Sequence, residues 1–473
     1  PKAVEALELG TEGIKRTQFL HRLQGEITKR GGVDVLRKGV SHGPVHVDLY
    51  KMLPTPGNVA ATEAFGQNIF SVTRQVRYSN DSGNELDLVI FINGLPLLTF
   101  ELKNSLTKQT MADAVVQYQT TRESRELLFQ LGRCIAHFAV DDVEASFCTE
   151  LKSKASWFLP FNQGWNSGAG NPPNPDGLKT DYLWKQVLTR DSLANIVESY
   201  AQVVEEEEPA PGGKRKKKRK QIFPRFHQLR TVRALLRRTR EDGVGRRYLI
   251  QHSAGSGKSN TIAWLAHQLV ELRTAADPLA PQFDSIIVIT DRRALDTQIA
   301  RTIKGYDHVA SIFGHSDNAQ ELRDYLRRGK KIIVTTVQKF PFILDELEDL
   351  SGKHFALLID EAHSSQGGKT TGKMHAALGG KTADEDDDAT DDEESFEEDA
   401  TQEAVNAEIA RRIESRRMLS NASYFAFTAT PKNKTLELFG ESVLVGDTKQ
   451  FRSPEELTYT TKQAIEEHFI LDV

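Results

Sequence analysis

Residues 248–259 read Tyr248-Leu249-Ile250-Gln251-His252-Ser253-Ala254-Gly255-Ser256-Gly257-Lys258-Ser259. A short apolar run leads into a loop with two glycines and a Lys-Ser pair, and helical spacing follows over 261–273. Glycines in such a loop let successive backbone N–H groups curl around phosphate oxygens. On this reading Ala254, Gly255, Ser256, Gly257, Lys258 and Ser259 form a phosphate cradle, Lys258 reaches the β/γ-phosphates of ATP, and Ser259 holds Mg2+. The glycine that usually opens the loop is His252 here.

Working outward, the apolar runs Tyr248–Ile250, Ile286–Thr290, Ile332–Thr336, Ala356–Ile359 and Tyr424–Thr428 lack polar alternation. Such runs suit strands buried on both faces of a parallel sheet. Helical patterns lie between them, so the second half is expected to be a doubly wound α/β domain. The run at 355–359 ends in Asp360-Glu361-Ala362-His363. A carboxylate at the tip of a buried strand beside a phosphate loop completes a Mg2+ site, the role expected of Asp360, and Glu361 would orient an attacking water. Phe427-Thr428-Ala429-Thr430-Pro431 sits at a further strand end.

Taken in order, these elements resemble the first, RecA-like motor lobe of superfamily 2 helicases and translocases. The resemblance implies that Gln228, in Phe226-His227-Gln228, reads the adenine edge. It also implies that Arg292, after Thr290-Asp291, and Thr336, before Val337-Gln338, contact a nucleic-acid backbone, and that Thr428 and Thr430 belong to the third motif. The family's motors have a second lobe with an arginine finger. The stretch after Val445 is too short to build it, so residues 446–473 are expected to begin a connection toward a missing lobe.

The first half carries different chemistry. A helix is expected over 60–70, strands over 72–78, 85–92 and 96–103, helices over 108–121 and 123–130, and a strand over 135–140. Asn93-Gly94 between two apolar runs is the strongest short-range hairpin signal. In a strand alternate residues share a face, so Glu101 and Lys103 point one way, and the hairpin returns them toward Asp87. Two carboxylates and an amine so placed suit Mg2+ and attack on phosphate.

That constellation resembles the PD-(D/E)xK nuclease core, with Asp87, Glu101 and Lys103 as its catalytic residues and Asp87 and Glu101 as Mg2+ ligands. Leu86 stands where the family often has proline. Some relatives add a Gln-x-x-x-Tyr helix; here Gln117 is followed four residues on by Thr121, and the tyrosine is Tyr118.

A nuclease core ahead of a superfamily 2 motor resembles the restriction (R, motor) subunit of type I restriction–modification enzymes. The family implies ATP-driven translocation of double-stranded DNA followed by its cleavage, assembly with methyltransferase and specificity subunits, and a bacterial or archaeal cytoplasm. Three alternatives are a superfamily 2 helicase whose N-terminal domain merely binds nucleic acid, a non-enzymatic DNA-binding or assembly module, and a type III restriction subunit, whose nuclease is expected after the motor.

The rest of the composition fits. A length of 473 residues suggests about three units. Two cysteines exclude a disulfide framework, and no apolar run reaches the roughly 18 residues of a membrane helix. Twelve acids crowd between Asp384 and Asp399, and without them the formal charge of −5 would be +7, which permits a phosphate-rich partner. Like-charge blocks resist packing. Residues 203–220, with Glu205–Glu208 ahead of seven consecutive bases, are therefore expected to be an exposed linker, and 383–401 a solvated loop. The expected domains are a nuclease at 1–202, the linker, and a motor lobe at 221–445.

Overall fold

The computed structural model describes residues 12–209, 215–290, 313–316, 319–336, 352–360, 419–446 and 448–470, with a few single positions besides. They form two compact units. The first runs to Leu229 and takes in the segment from Lys462; the second is Arg230–Thr461.

In the first unit, helices Ile14–Arg30 and Gly32–Lys38 precede a short hairpin of β1 (Val40–His42) and β2 (Val45–Val47). The next helix is Val59–Gly66, whose Asn58 cap accepts a hydrogen bond from the Ala61 N–H. Six strands then build one sheet: β3 (Phe70–Arg77), β4 (Glu85–Ile92), β5 (Leu95–Leu102), β6 (Ala136–Val140), β7 (Ala145–Cys148) and β8 (Leu159–Pro160), in that spatial order. Only β5 and β6 pair in parallel, and the helix Met111–Thr120 lies between them in the chain. A capping box of Thr110 and Asp113 starts that helix. Leu86, Val89, Tyr118 and Phe129 form part of its core. The helix expected over 60–70 stops at Gly66, and the one expected over 123–130 shrinks to a single 3-10 turn, Leu127–Phe129.

The expected hairpin is present. Asn93 and Gly94 both have positive φ, 50° and 81°, as the tight turn between right-twisted strands requires. From the turn, Ile92 pairs with Leu95 and Phe91 with Pro96; then the register shifts, and Ile90 pairs with Leu98, Val89 with Thr99 and Leu88 with Phe100. Leu97 is the extra residue of a β-bulge.

Residues 203–220 differ from the expected linker. Their described residues form two paired antiparallel strands, β9 (Gln202–Pro209) and β10 (Arg215–Ile222), whose register sets Arg219, Lys218, Lys217 and Lys216 opposite Glu205, Glu206, Glu207 and Glu208 in turn. Each block repels itself, yet antiparallel pairing lays one against the other, and opposite charges across strands attract without leaving water. Lys217 Nζ lies 3.2 Å from Glu205 Oε2.

The second unit holds a seven-stranded parallel sheet. Its strands are β11 (Arg247–His252), β12 (Ser285–Thr290), β13 (Phe313–His315), β14 (Ile332–Thr336), β15 (Phe355–Ile359), β16 (Ala422–Thr428) and β19 (Thr458–Tyr459). Their spatial order is β13-β14-β12-β15-β16-β11-β19. The residues of β12, β15 and β16 are all buried, which is why their sequences are unalternated. The α/β expectation holds. A small hairpin, β17 (Glu441–Val445) and β18 (Thr448–Arg452), precedes β19. Residues 446–473, expected as a departing connection, thus supply β18 and the sheet's edge strand, and the helix Thr461–Glu466 is largely counted with the first unit. There the Ala169 N–H donates to Glu466 Oε2 at 2.7 Å. The acidic stretch 383–401 lies outside the described residues.

Candidate functional site

In the first unit, the bulge decides the site. Continuing the register one step past Leu88 and Phe100 sets Asp87 opposite Glu101, and directly opposed residues share a face. Asp87 Oδ2 accepts from the Leu102 N–H at 2.7 Å, which pins its carboxylate to the neighbouring strand. Glu101 is fully buried. Its Oε1 accepts from Arg122 Nε at 2.6 Å, while Oε2 is buried and accepts no hydrogen bond. Lys103 Nζ donates to Gln117 Oε1 at 2.6 Å. The structure therefore joins Gln117 to the Asp87, Glu101 and Lys103 group. It sends Tyr118, the next residue round the helix, into the core, where its hydroxyl lies 2.8 Å from Thr99 Oγ1, itself 2.7 Å from His137 Nδ1.

Burial pushes the Glu101 carboxyl up to about 7; the Arg122 guanidinium pulls it down, and the Asp87 charge adds to the rise. An ionisable carboxylate buried with one orphaned oxygen beside a second carboxylate is a high-energy arrangement for a bare protein. A divalent cation would satisfy it. No group of three or more His, Cys, Asp or Glu suited to a metal exists among the described residues. Two carboxylates are enough for Mg2+, which keeps much of its water shell.

Sequence reasoning missed Arg122. It stands just past the helix that carries Gln117, at the position after Thr121. A basic residue at the end of that helix was the available signal.

In the second unit, β11 delivers the phosphate loop. Gly255 and Gly257 have φ of 70° and 80°, and Gly257 caps the helix Lys258–Glu271. A helix start reached through such a curled loop is the kind of backbone that binds anions. His252 does not enter the cradle. It is buried, with Nε2 3.0 Å from Thr231 Oγ1, and the following Ser253 N–H donates to the Tyr459 carbonyl at 3.0 Å. The departure from glycine thus anchors the loop's root inward.

Because β11, β16 and β15 are parallel neighbours, the phosphate loop, Thr428 and Asp360 all emerge at one edge of the sheet. Asp360 is buried at the end of β15, two strands from β11 and hence about 10 Å across the sheet. Thr428 is buried and its hydroxyl has no hydrogen-bond partner among the described residues; Thr430 is exposed and Thr336 half-buried at the end of β14. Gln228 belongs to the first unit, where its Oε1 accepts from the Arg225 N–H at 2.9 Å. Glu361 and Arg292 lie outside the described residues.

Comparison with known proteins gives matches in both halves of the chain. Residues 20–156 match the family "Type I restriction enzyme R protein N terminus", and 227–383 match "SWI2/SNF2 ATPase". The HindI endonuclease subunit of a type I restriction enzyme from Haemophilus influenzae is 26% identical over 419 residues, 81% of this chain and 34% of that protein. The SauCOLORF180P endonuclease subunit from Staphylococcus aureus is 24% identical over 65% of this chain and 30% of its own length. The chain thus spans about a third of the length of these relatives. Among solved structures, the UvsW helicase of bacteriophage T4 covers 47% of this chain and 60% of its own, with 17% identity and a TM-score of 0.25. The resemblance to type I restriction subunits is borne out on both halves of the chain. No described helix is long and apolar enough to cross a membrane.

Proposed function

From a chain whose two halves resemble the nuclease-bearing and motor parts of type I restriction subunits, we propose a Mg2+-dependent DNA endonuclease site joined to an ATP-driven translocase lobe. The observation that supports the reading is the pairing of the half-buried Asp87 with the fully buried Glu101, whose Oε2 accepts no hydrogen bond from the described residues, on the strand that leads to Lys103. Asp87 and Glu101 would hold Mg2+, which when bound polarises the scissile phosphate and lowers the pKa of a bound water. Gln117, which accepts from Lys103, would orient its ammonium to hold a phosphate oxygen or pass a proton to the leaving oxygen.

In the second unit, the loop 254–259 and the start of its helix would bind the phosphates of ATP, with Lys258 on the β/γ oxygens and Ser259 and Asp360 on the accompanying Mg2+. The Thr428 hydroxyl, buried without a partner, is available to link nucleotide state to the strand edge. Double-stranded DNA is the proposed substrate, and methyltransferase and specificity subunits the proposed partners.

The test is plasmid cleavage by a full-length subunit that carries this chain, assembled with those subunits. Asp87→Asn should abolish cutting and leave ATP hydrolysis within about twofold of wild type, because separate units house the two chemistries. If that variant cuts normally, the first unit is a binding domain and the helicase alternative takes over.

A further inference from the structure

We propose that Arg122 is a positioning and metal-selecting residue: by holding Glu101 Oε1 it leaves a single oxygen of that carboxylate, Oε2, to meet a cation beside Asp87, which favours Mg2+ over Ca2+. The inference rests on the nuclease reading above and deepens it.

The arrangement is built for this. Arg122 is 5% exposed, and each face of its guanidinium fork is claimed. Nε donates to Glu101 Oε1 at 2.6 Å, one terminal nitrogen donates to the Glu85 carbonyl at 2.8 Å, and the other approaches the Tyr78 hydroxyl at 3.5 Å. The guanidinium carbon also lies 5.7 Å from the centre of the Tyr78 ring. Tyr78 follows β3, Glu85 opens β4 and Glu101 lies on β5. One side chain from the end of the crossover helix therefore ties three adjacent strands where Asp87 and Glu101 meet. Arginine suits the place because its planar fork fixes several acceptors at once, which lysine's single ammonium does not.

The consequence is chemical. A free carboxylate offers a cation either one oxygen or two. Ca2+, large and tolerant of irregular coordination, readily takes both; Mg2+ demands near-octahedral geometry and prefers few protein ligands. With Oε1 held by a charge-assisted hydrogen bond, the two-oxygen mode is disfavoured, because a cation on Oε1 would meet the Arg122 charge. Glu101 Oε2, buried and accepting no hydrogen bond from the described residues, is the oxygen left for the cation. Outer partners of metal ligands typically change affinity about 10–100-fold when removed.

The experiment is nucleotide-free isothermal titration of the full chain with MgCl2 and with CaCl2, for wild type, Arg122→Met, Arg122→Lys and Asp87→Asn, with thermal melts as a fold check. Arg122→Met is expected to shift the Mg2+:Ca2+ affinity ratio about tenfold toward Ca2+, with Arg122→Lys in between. A general structural loss would weaken both metals together and leave the ratio unmoved, and that result overturns the proposal. If Arg122→Met does not fold, the ratio in Arg122→Lys decides, since lysine cannot hold the Glu101 and Glu85 oxygens together. Asp87→Asn separates the two levels of argument. Loss of both metals there supports the site, whereas wild-type binding there sinks the nuclease reading itself, whatever Arg122 does.

Discussion

The Glu101–Arg122 pair makes a stability prediction of definite size. Both side chains are essentially buried, at 0% and 5% exposed, with 2.6 Å between Nε and Oε1. Two unit charges about 4 Å apart attract by about 4 kcal/mol at an effective dielectric near 20. Taking them from water consumes much of that, so the pair's net value is small, but breaking it is expensive. Arg122→Met strands a buried carboxylate and should cost about 3–5 kcal/mol. Glu101→Gln keeps an acceptor for Nε, and the guanidinium retains the Glu85 carbonyl, so about 1–3 kcal/mol is expected. The double variant removes the stranded charge and should cost no more than Arg122→Met alone, a coupling of about 2 kcal/mol.

The assay is urea unfolding in EDTA at pH 8, above the raised Glu101 value of about 7, so that the carboxylate is charged. Tryptophan fluorescence is a suitable reporter because three of the four tryptophans, Trp157, Trp165 and Trp184, lie in the first unit. At pH 6 the coupling should shrink as Glu101 takes up a proton. If the two single costs add to within about 0.5 kcal/mol at pH 8, the pair is not coupled and the reasoning fails.

Three further outcomes are expected. Lys258→Ala removes the cation aimed at the phosphates; ATP turnover should fall at least about a hundredfold, and DNA cutting should fail with it even though Asp87 and Glu101 are intact, which plasmid digestion would show. Gln117→Ala frees Lys103 without touching either carboxylate, so cleavage should drop about tenfold while calorimetry finds Mg2+ affinity unchanged; a matching loss of affinity would place Gln117 in the metal shell instead. Burial pushes His137 down to about 3 from 6.5, so acidification below 6.5 loads a proton on the unfolded chain that the fold refuses. Stability should fall by up to about 1.4 kcal/mol per pH unit from this group. Glu101 at about 7, against 4.5, works in the opposite sense between 7 and 4.5, since there the fold holds a proton that the unfolded chain releases. His137→Gln should therefore turn a nearly flat metal-free profile between pH 6.5 and 5 into one that rises on acidification; an unchanged profile by urea titration would refute the assignment.

Much of this protein is written locally. The unalternated runs at 286–290, 356–359 and 424–428 declare a parallel sheet, because strands covered on both faces need apolar residues at every position. The Gly-rich loop before Lys258 and the Asn93-Gly94 turn are equally legible, since each depends on backbone conformations that few residues adopt. Other features depend on partners distant in the chain. His252 is intelligible only beside Thr231 and Tyr459, and the charged blocks of 203–220 only once each faces the other. Arg122 has no recognisable spacing to Glu101. The decisive case is the hairpin. Its turn alone, carried on from Ile92–Leu95 and Phe91–Pro96, would set Asp87 opposite Phe100 and put Glu101 on the other face. The extra residue at Leu97 moves the register by one and brings the carboxylates together. Pro96, which lacks an N–H in a central strand, hints at an irregularity without fixing where it falls. Side chains in a strand alternate with a period of two, so a single bulge reverses which face every later residue occupies, and packing of the whole sheet, not the preference of any residue, decides where the bulge lies.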